Sequence, residues 1–350
     1  MHYKGTMVMS TITIKDIAEK CGVGVSTVSR AINNQPDINL ETKNMIMRTI
    51  AEYNYVPNNS ARNLKRTASK TIAILVKAID NSFFAEMIRI MEREINREKY
   101  SFFLQHIDEE QDEFEVAIEL IKEKRLKGIV FLGGYADRTE ETLRRLTVPF
   151  VMSTVGSGEL PSDVLCSYMA VDDKKESYKV IDYLCKLGHR RIAILAALKR
   201  DEGIGYQRLE GYKKALKDNG VEIDEGLICY MKEDIQTFSM ENGYAIMKEL
   251  LHSGKDFTAV YAISDLMAMG ACKAIFEEKK RIPEDYSVAG YDGIDYTYYY
   301  EPSITTLKQP VKEIAEESIH ALFHMINKKK PVPGKTFEGI LLERNSTRRI

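Results

Sequence analysis

Residues 13–55 read TIKDIAEKCGVGVSTVSRAINNQPDINLETKNMIMRTIAEYNY. Ile14, Ile17, Ala18 and Cys21 recur at the spacing of one helical face, and Gly22 interrupts them. Val25, Val28, Ala31 and Ile32 restart the period, and the polar run Asn33, Asn34, Gln35 with Pro36 stops it. Asn39 carries a side chain suited to an N-cap. Behind it Met45, Ile46, Thr49, Ile50 and Tyr53 mark a third apolar face, which Pro57 closes. A helix, a tight glycine turn and a second helix form a helix-turn-helix signature. A small all-α head is therefore expected over residues 10–56.

Moving outward, residues 58–66, NNSARNLKR, are polar and basic except for Leu64. A helix with almost no apolar face is marginal in water, so 57–69 is expected to be a short helix and linker that orders only against a partner. From Thr71 the pattern becomes α/β. Apolar runs stand at 71–76, 100–105, 127–132, 148–153, 191–196, 258–263 and 286–291, with amphipathic helical patterns between them and a last one at 311–327. Such runs between amphipathic helices predict parallel sheets covered on both faces. This length exceeds a comfortable single core, so two lobes are expected over residues 70–350. The tetrapeptide Ile-Ala-Ile-Leu at 72–75 returns at 192–195, each time opening a β/α series.

Composition excludes several classes. The 350-residue chain has 44% hydrophobic and 29% charged residues, an ordinary globular mixture. No stretch reaches the roughly 18 apolar residues of a membrane span, and the N-terminus shows no apolar signal-peptide core. Five scattered cysteines without a C-x-x-C pair fit neither a disulfide framework nor a zinc ribbon. A cytoplasmic protein without membrane partners, metal or cofactor is expected. The net charge of −2 hides an asymmetry: residues 1–69 carry +4 and the remainder −6. A basic head on an acidic body suits a polyanionic partner.

Residues 13–76 resemble the LacI/GalR family of bacterial transcription regulators. The resemblance continues through NSFF at 81–84, LGHRRI at 187–192, RLEGY at 208–212, Ser264 and Asp265 with Ala268 and Gly270, GYD at 290–292 and PSITTLKQ at 302–309. It implies a hinge helix and linker at 57–69 and a two-lobed periplasmic-binding-protein-like effector-binding and dimerisation domain over 70–350, with lobe 1 at about 70–168 and 311–332, lobe 2 at about 169–310 and 333–350, and an effector cleft at the carboxyl ends of strands. It also implies a repressor that binds a palindromic DNA operator as a homodimer, under control of a small-molecule effector, a sugar or related metabolite.

For the head, the N-terminal part of a recognition helix faces base edges in the major groove. Val25 suits a thymine methyl, Ser26 either base type, and Arg30 guanine O6 and N7. Thr27, Ser29, Asn33 and Lys15 are placed for phosphate. Gly24 stands where the family usually has serine; glycine remains an acceptable cap. The resemblance makes Leu64 a minor-groove wedge with Arg62 and Lys65 near the backbone, a device that unstacks a base step. In the body, Phe83 and Phe84 suit stacking on a ring or sugar face. Arg208 and Asp292 are carried over as grips on ligand hydroxyls. Ser264, where the family usually has asparagine, Asp265 and Thr154 complete the candidates. Helix capping and structural ion pairs are the alternative reading for each, above all for Asp265 and Asp292.

Other constellations are weaker. His320 and His324 sit four apart with no third ligand, and packing on that helix is the simpler reading. Tyr296, Tyr298, Tyr299 and Tyr300 fit either an aromatic ligand site or packing between lobes or subunits. A solute-binding protein is disfavoured by the head, and an α/β enzyme by the lack of a nucleophile–base set or phosphate loop.

Overall fold

The computed structural model describes residues 12–32, 34–35, 37–53, 55, 70–77, 81–108, 111–134, 139–156 and 159–350. The expected hinge at 57–69, with Arg62, Leu64 and Lys65, and the phosphate candidate Asn33 lie outside the described residues. The chain divides into two units, Met1–Ala68 and Ser69–Ile350.

The first unit holds α1 (Ile14–Lys20), α2 (Val25–Ile32) and α3 (Leu40–Glu52). Thr13 and Asp16 form a capping box that starts α1: Thr13 N–H donates to the Asp16 carboxylate at 2.7 Å, and Asp16 N–H donates to Thr13 Oγ1 at 3.4 Å. Gly22 makes the turn at φ +63°, where a side chain is strained. Asn39 caps α3 through Glu41 N–H at 2.8 Å. Ile17, Ala18, Val28, Ala31 and Ile46 form the buried centre. The face expected for α3 is narrower than read. Ile46 and half-buried Ile50 carry it, whereas Met45 is 41% and Tyr53 37% exposed. Instead of packing inward, Tyr53 lies under the Lys20 ammonium, 4.2 Å from the ring centroid. The helix stops at Glu52, five residues before Pro57.

The second unit contains two six-stranded sheets. The first orders as β11-β5-β4-β3-β1-β2, from β1 (Thr71–Lys77), β2 (Ser101–Ile107), β3 (Gly128–Leu132), β4 (Phe150–Ser153), β5 (Cys166–Val171) and β11 (Lys335–Phe337). The second orders as β12-β10-β9-β8-β6-β7, from β6 (Ile192–Ala196), β7 (Ile228–Tyr230), β8 (Ala259–Ala262), β9 (Ser287–Asp292), β10 (Thr305–Lys308) and β12 (Ile340–Leu342). Pairing is parallel throughout except between β10 and β12. The repeated Ile-Ala-Ile-Leu segments fall in β1 and β6, which occupy the same place in their sheets. Helices α4 (Ser82–Arg97), α5 (Glu113–Lys124), α6 (Glu140–Arg144) and α12 (Val311–Lys328) accompany the first sheet. Helices α7 (Asp173–Lys186), α8 (Ile204–Asp218), α9 (Met240–His252), α10 (Asp265–Glu277) and α11 (Tyr296–Tyr299) accompany the second.

Strand β1 shows why both faces are covered. Ile72, Ile74 and Val76 enter a core with Met87, Met91 and Leu322, while Ala73 and Leu75 enter another with Phe114, Phe131 and Phe150. Phe114 stacks on Phe131 at 4.5 Å, and both meet Phe150 edge-on. His320 and His324 are exposed on α12, contrary to the packing expected for them.

The lobe boundaries shift from those expected. The break at 168/169 would cut β5, whose Met169–Val171 pair with Lys335–Phe337. The first lobe therefore runs to Val171 and takes back β11, which had been assigned to the second. The chain crosses between lobes at 172, at 309–310 and at 338–339. These crossings lie side by side. Lys175 Nζ meets Glu338 at 2.6 Å, Lys179 Nζ donates to Gly339 O at 3.3 Å, and a Cβ on Gly339 would stand 3.1 Å from Lys308 O.

Helices α9 and α10 approach through glycines. A Cβ at Gly270 would stand 2.0 Å from Met240 O, and one at Gly243 2.3 Å from Met267 O. Helix propensity favours Gly270→Ala by about 1 kcal/mol, but overpacking a tight core costs about 1–3 kcal/mol or more. Because the obstacle is backbone, overpacking should win. Gly270→Ala is expected to lower the urea midpoint by about 2 kcal/mol equivalent with an unchanged m value; a more stable variant would show that the helices separate freely.

Candidate functional site

Between the two lobes lies a cavity of about 300 Å³, within the range of small-molecule sites. Its walls come from residues at or just beyond strand ends: Lys77 closing β1, Gly133 and Gly134 after β3, Thr154 after β4, Ala197 and Leu198 after β6, Met231 after β7, Asp292 closing β9 and Gln309 after β10. Ligands in open parallel sheets gather at this edge because helix N-termini and loops converge there.

The second-lobe wall is built on Arg208, only 4% exposed. Its Nε donates to Asp173 Oδ1 at 2.8 Å and its Nη1 to Ile263 O at 2.6 Å, and its guanidinium lies 3.8 Å over the Tyr291 ring. Tyr291 Oη donates to the same Asp173 oxygen at 3.0 Å. Burial opposes the Arg208 charge, but Asp173, Tyr291 and Asp292 outweigh it and hold Arg208 above its ordinary range. Asp292 Oδ1 stands 3.9 Å from Arg208 Nη1 and accepts from Gln309 Nε2 at 3.0 Å. Its backbone sits at φ +119°, a strained setting for a non-glycine residue. Burial pushes its carboxyl up to about 6, against the pull of Arg208 and Gln309. Gln309 Oε1 is buried without a hydrogen-bond partner. An acceptor held unsatisfied at a cavity wall suits a ligand hydroxyl.

The first-lobe wall carries Phe83 and Phe84, which open α4 behind the Asn81 cap and meet edge-on at 5.4 Å. Gly133 leaves space for Phe84: a Cβ there would stand 3.2 Å from its ring. Thr154 lies at φ +72°. Lys77 reaches Glu113, the first residue of α5, at 3.1 Å, and both are largely buried.

Phe83, Phe84, Thr154, Arg208 and Asp292 thus come together at one cavity. Ser264 and Asp265 do not line it, a correction to the expected set. Ser264 caps α10, accepting from Met267 N–H at 3.3 Å, and donates to Phe238 O at 3.3 Å, so it braces the wall from behind. Asp265 accepts from Gly293 and Ile294 N–H at 2.7 and 2.8 Å and from Thr306 Oγ1 at 2.5 Å, fixing the turn after Asp292. Burial, and then Asp292 itself, raise its pKa well above the usual carboxylate range. The sequence reading missed Lys77, Asp201, Met231, Phe238 and Gln309. Lys77 follows the apolar run at 71–76 and Gln309 ends the PSITTLKQ segment, signals that were available. Phe238 lies in an irregular stretch at φ +53°, with no periodicity to reveal it. Tyr296, Tyr298 and Tyr299 are exposed and take no part in the cavity, while Tyr300 Oη donates to Met269 O at 3.3 Å.

On the head, Val25, Ser26 and Arg30 are exposed on α2 and Lys15 on α1, while Thr27 and Ser29 are half-buried. Among the described residues there is no group of three metal-ligating side chains, and no helix long and apolar enough to cross a membrane.

Comparison with known proteins matches residues 13–58 to the model described as "Bacterial regulatory proteins, lacI family", and residues 181–347 to "Periplasmic binding protein-like domain". The chain is 39% identical over 337 residues to the HTH-type transcriptional regulator MalR of Clostridium butyricum, covering 96% of this chain and 99% of the relative. It is 32% identical over 319 residues to the HTH-type transcriptional repressor PurR of Pasteurella multocida, covering 91% and 92%. Among solved structures, a transcriptional regulator CelR–cellobiose complex aligns with TM-score 0.69 and 29% identity, covering 96% of this chain and 99% of that one.

The raised Asp292 pKa has a definite sign. Below about 4 both folded and unfolded chains hold the proton; between about 4 and 6 the folded chain binds more, so stability falls as pH rises through 6. Asp292→Asn, which carries no charge to bury, is expected to gain stability over the wild type at pH 7.5 and to lose that advantage by pH 4.5. Urea midpoints at the two pH values check this, and an equal difference at both would show that Asp292 titrates normally.

Proposed function

The chain belongs to the lacI family of bacterial regulatory proteins, whose members are transcription regulators rather than enzymes, and from that premise we propose that it is a sugar-controlled repressor. It binds a two-fold-symmetric DNA operator as a homodimer through its helix-turn-helix heads, and an effector in the interlobe cavity governs the grip. One observation carries the reading: the polar groups of the cavity are rooted at the crossings between lobes. Asp173, which holds Arg208, follows the first crossing, and Gln309, which holds Asp292, is part of the second. A ligand that bonds Arg208, Asp292 and Gln309 therefore acts directly on the angle between lobes. Coupling of this kind is reciprocal: the effector that weakens operator binding is weakened by the operator, typically by about 5–150-fold.

A sugar fits the chemistry. Hydroxyls both donate and accept, as Asp292, Gln309 and Arg208 require, and Phe84 and Phe238 offer apolar faces. CelR, similar along nearly its whole length, is known with cellobiose bound. In the heads, Val25, Ser26 and Arg30 read bases, Lys15, Thr27, Ser29 and Asn33 hold phosphates, and Leu64, flanked by Arg62 and Lys65, wedges the minor groove.

Selection of operators from randomised duplexes with the full chain tests the reading, followed by a thermal-shift screen of sugars and operator titrations with the best hit. A palindromic consensus is expected, with affinity falling steeply in salt and changing at least about fivefold with the sugar. Absence of any preferred symmetric duplex overturns it. Leu64→Ala is expected to lower operator affinity about tenfold or more while leaving thermal stability unchanged, checked by the same titration; undiminished binding removes the wedge.

A further inference from the structure

The turn that ends α2 brings a carboxylate onto its exposed arginine. Gln35 N–H donates to Arg30 O at 3.1 Å, Asn34 N–H donates to Ala31 O at 3.1 Å, and Asn34 adopts φ +53°. This six-to-one and five-to-two pair around a left-handed residue is a Schellman cap. Lys43 from α3 reaches over to the Asn34 side-chain oxygen, and Ile38 packs on the head core. Asp37, next to Ile38, is thereby set beside Arg30, and its carboxylate accepts from Arg30 Nη2. Both side chains are about half exposed, 56% for Arg30 and 52% for Asp37. An exposed ion pair of this kind adds almost nothing to folding.

We propose that Asp37 is a positioning residue of the DNA interface, orienting Arg30 for a base edge and denying it to phosphates. The assignment rests on the reading of the head as DNA-binding. A guanidinium has five donors in a planar fork. With one part of the fork on Asp37, the remaining donors stay free to form a fixed pair toward guanine O6 and N7. An unpaired arginine would reach any phosphate of any sequence. The Asp37 carboxylate repels that phosphate, so it lowers affinity for random DNA and leaves the guanine contact as the outlet for Arg30. Specificity is a difference of affinities, and a repulsive group next to the reading residue widens it.

The test uses the full chain with its selected operator and a random-sequence duplex. Asp37→Asn removes the charge and keeps the shape. It is expected to bind the random duplex about three- to tenfold more tightly, to lose about tenfold in the operator-to-random ratio, and to show a log–log salt slope steeper by about 1, one added phosphate contact. Asp37→Glu, which retains the carboxylate, should keep the ratio near the wild-type value. In an Arg30→Ala background Asp37→Asn should leave the ratio unchanged, because the group it positions is gone. An Asp37→Asn protein with the wild-type ratio and salt slope overturns the assignment alone, as does an effect that persists without Arg30. A wild type that selects no duplex overturns both this assignment and the reading beneath it.

Discussion

A buried guanidinium stands only where its partners are fixed, and Arg208 draws its partners from three separate elements. Asp173 comes from the start of α7, the Ile263 carbonyl from the residue just after β8 and the Tyr291 ring from β9. Removing one member of such a set leaves an uncompensated charge in the interior, which costs about 3–5 kcal/mol. The second lobe therefore cannot be assembled without also assembling this face of the cleft. Asp292 and Gln309 extend the same network to the next strand ends. Cavity wall and architecture share residues here, so any change of charge around Arg208 acts on the framework itself.

The head and the strand-helix alternation were legible in the sequence because their signal is local. Gly22, Asn39 and the apolar spacing of α1 and α2 act within a few residues of themselves, and every long apolar run became a strand. Strand β5 was not read, since CSYMAV mixes small and polar residues and becomes a strand only when flanked by β4 and β11. The edge strands β11 and β12 are three residues each, too short for any period to register. Distant partners decided both cases, and with them the lobe boundaries.

The site divides the same way. Arg208, Asp292, Phe83, Phe84 and Thr154 follow strands or open helices, and position after a strand end is readable. Ser264 and Asp265 share that position yet face away from the cavity, because the start of α10 turns their oxygens toward backbone N–H groups at Met267, Gly293 and Ile294. Residue type and place nominate candidates; only the direction of the side chain separates a wall residue from the brace behind it. Asp37 shows the reverse, an unremarkable turn residue in sequence whose meaning comes from the arginine beside it.

Three strands of chain crossing side by side set the mechanical freedom of the body. One connection would allow the lobes to swivel and two would still allow torsion about their line. A third, tied to its neighbours through Glu338 and Gly339, leaves bending as the soft motion and makes twisting and sliding stiff. Crossings arranged this way reduce the relative motion of the lobes to one coordinate, a single angle.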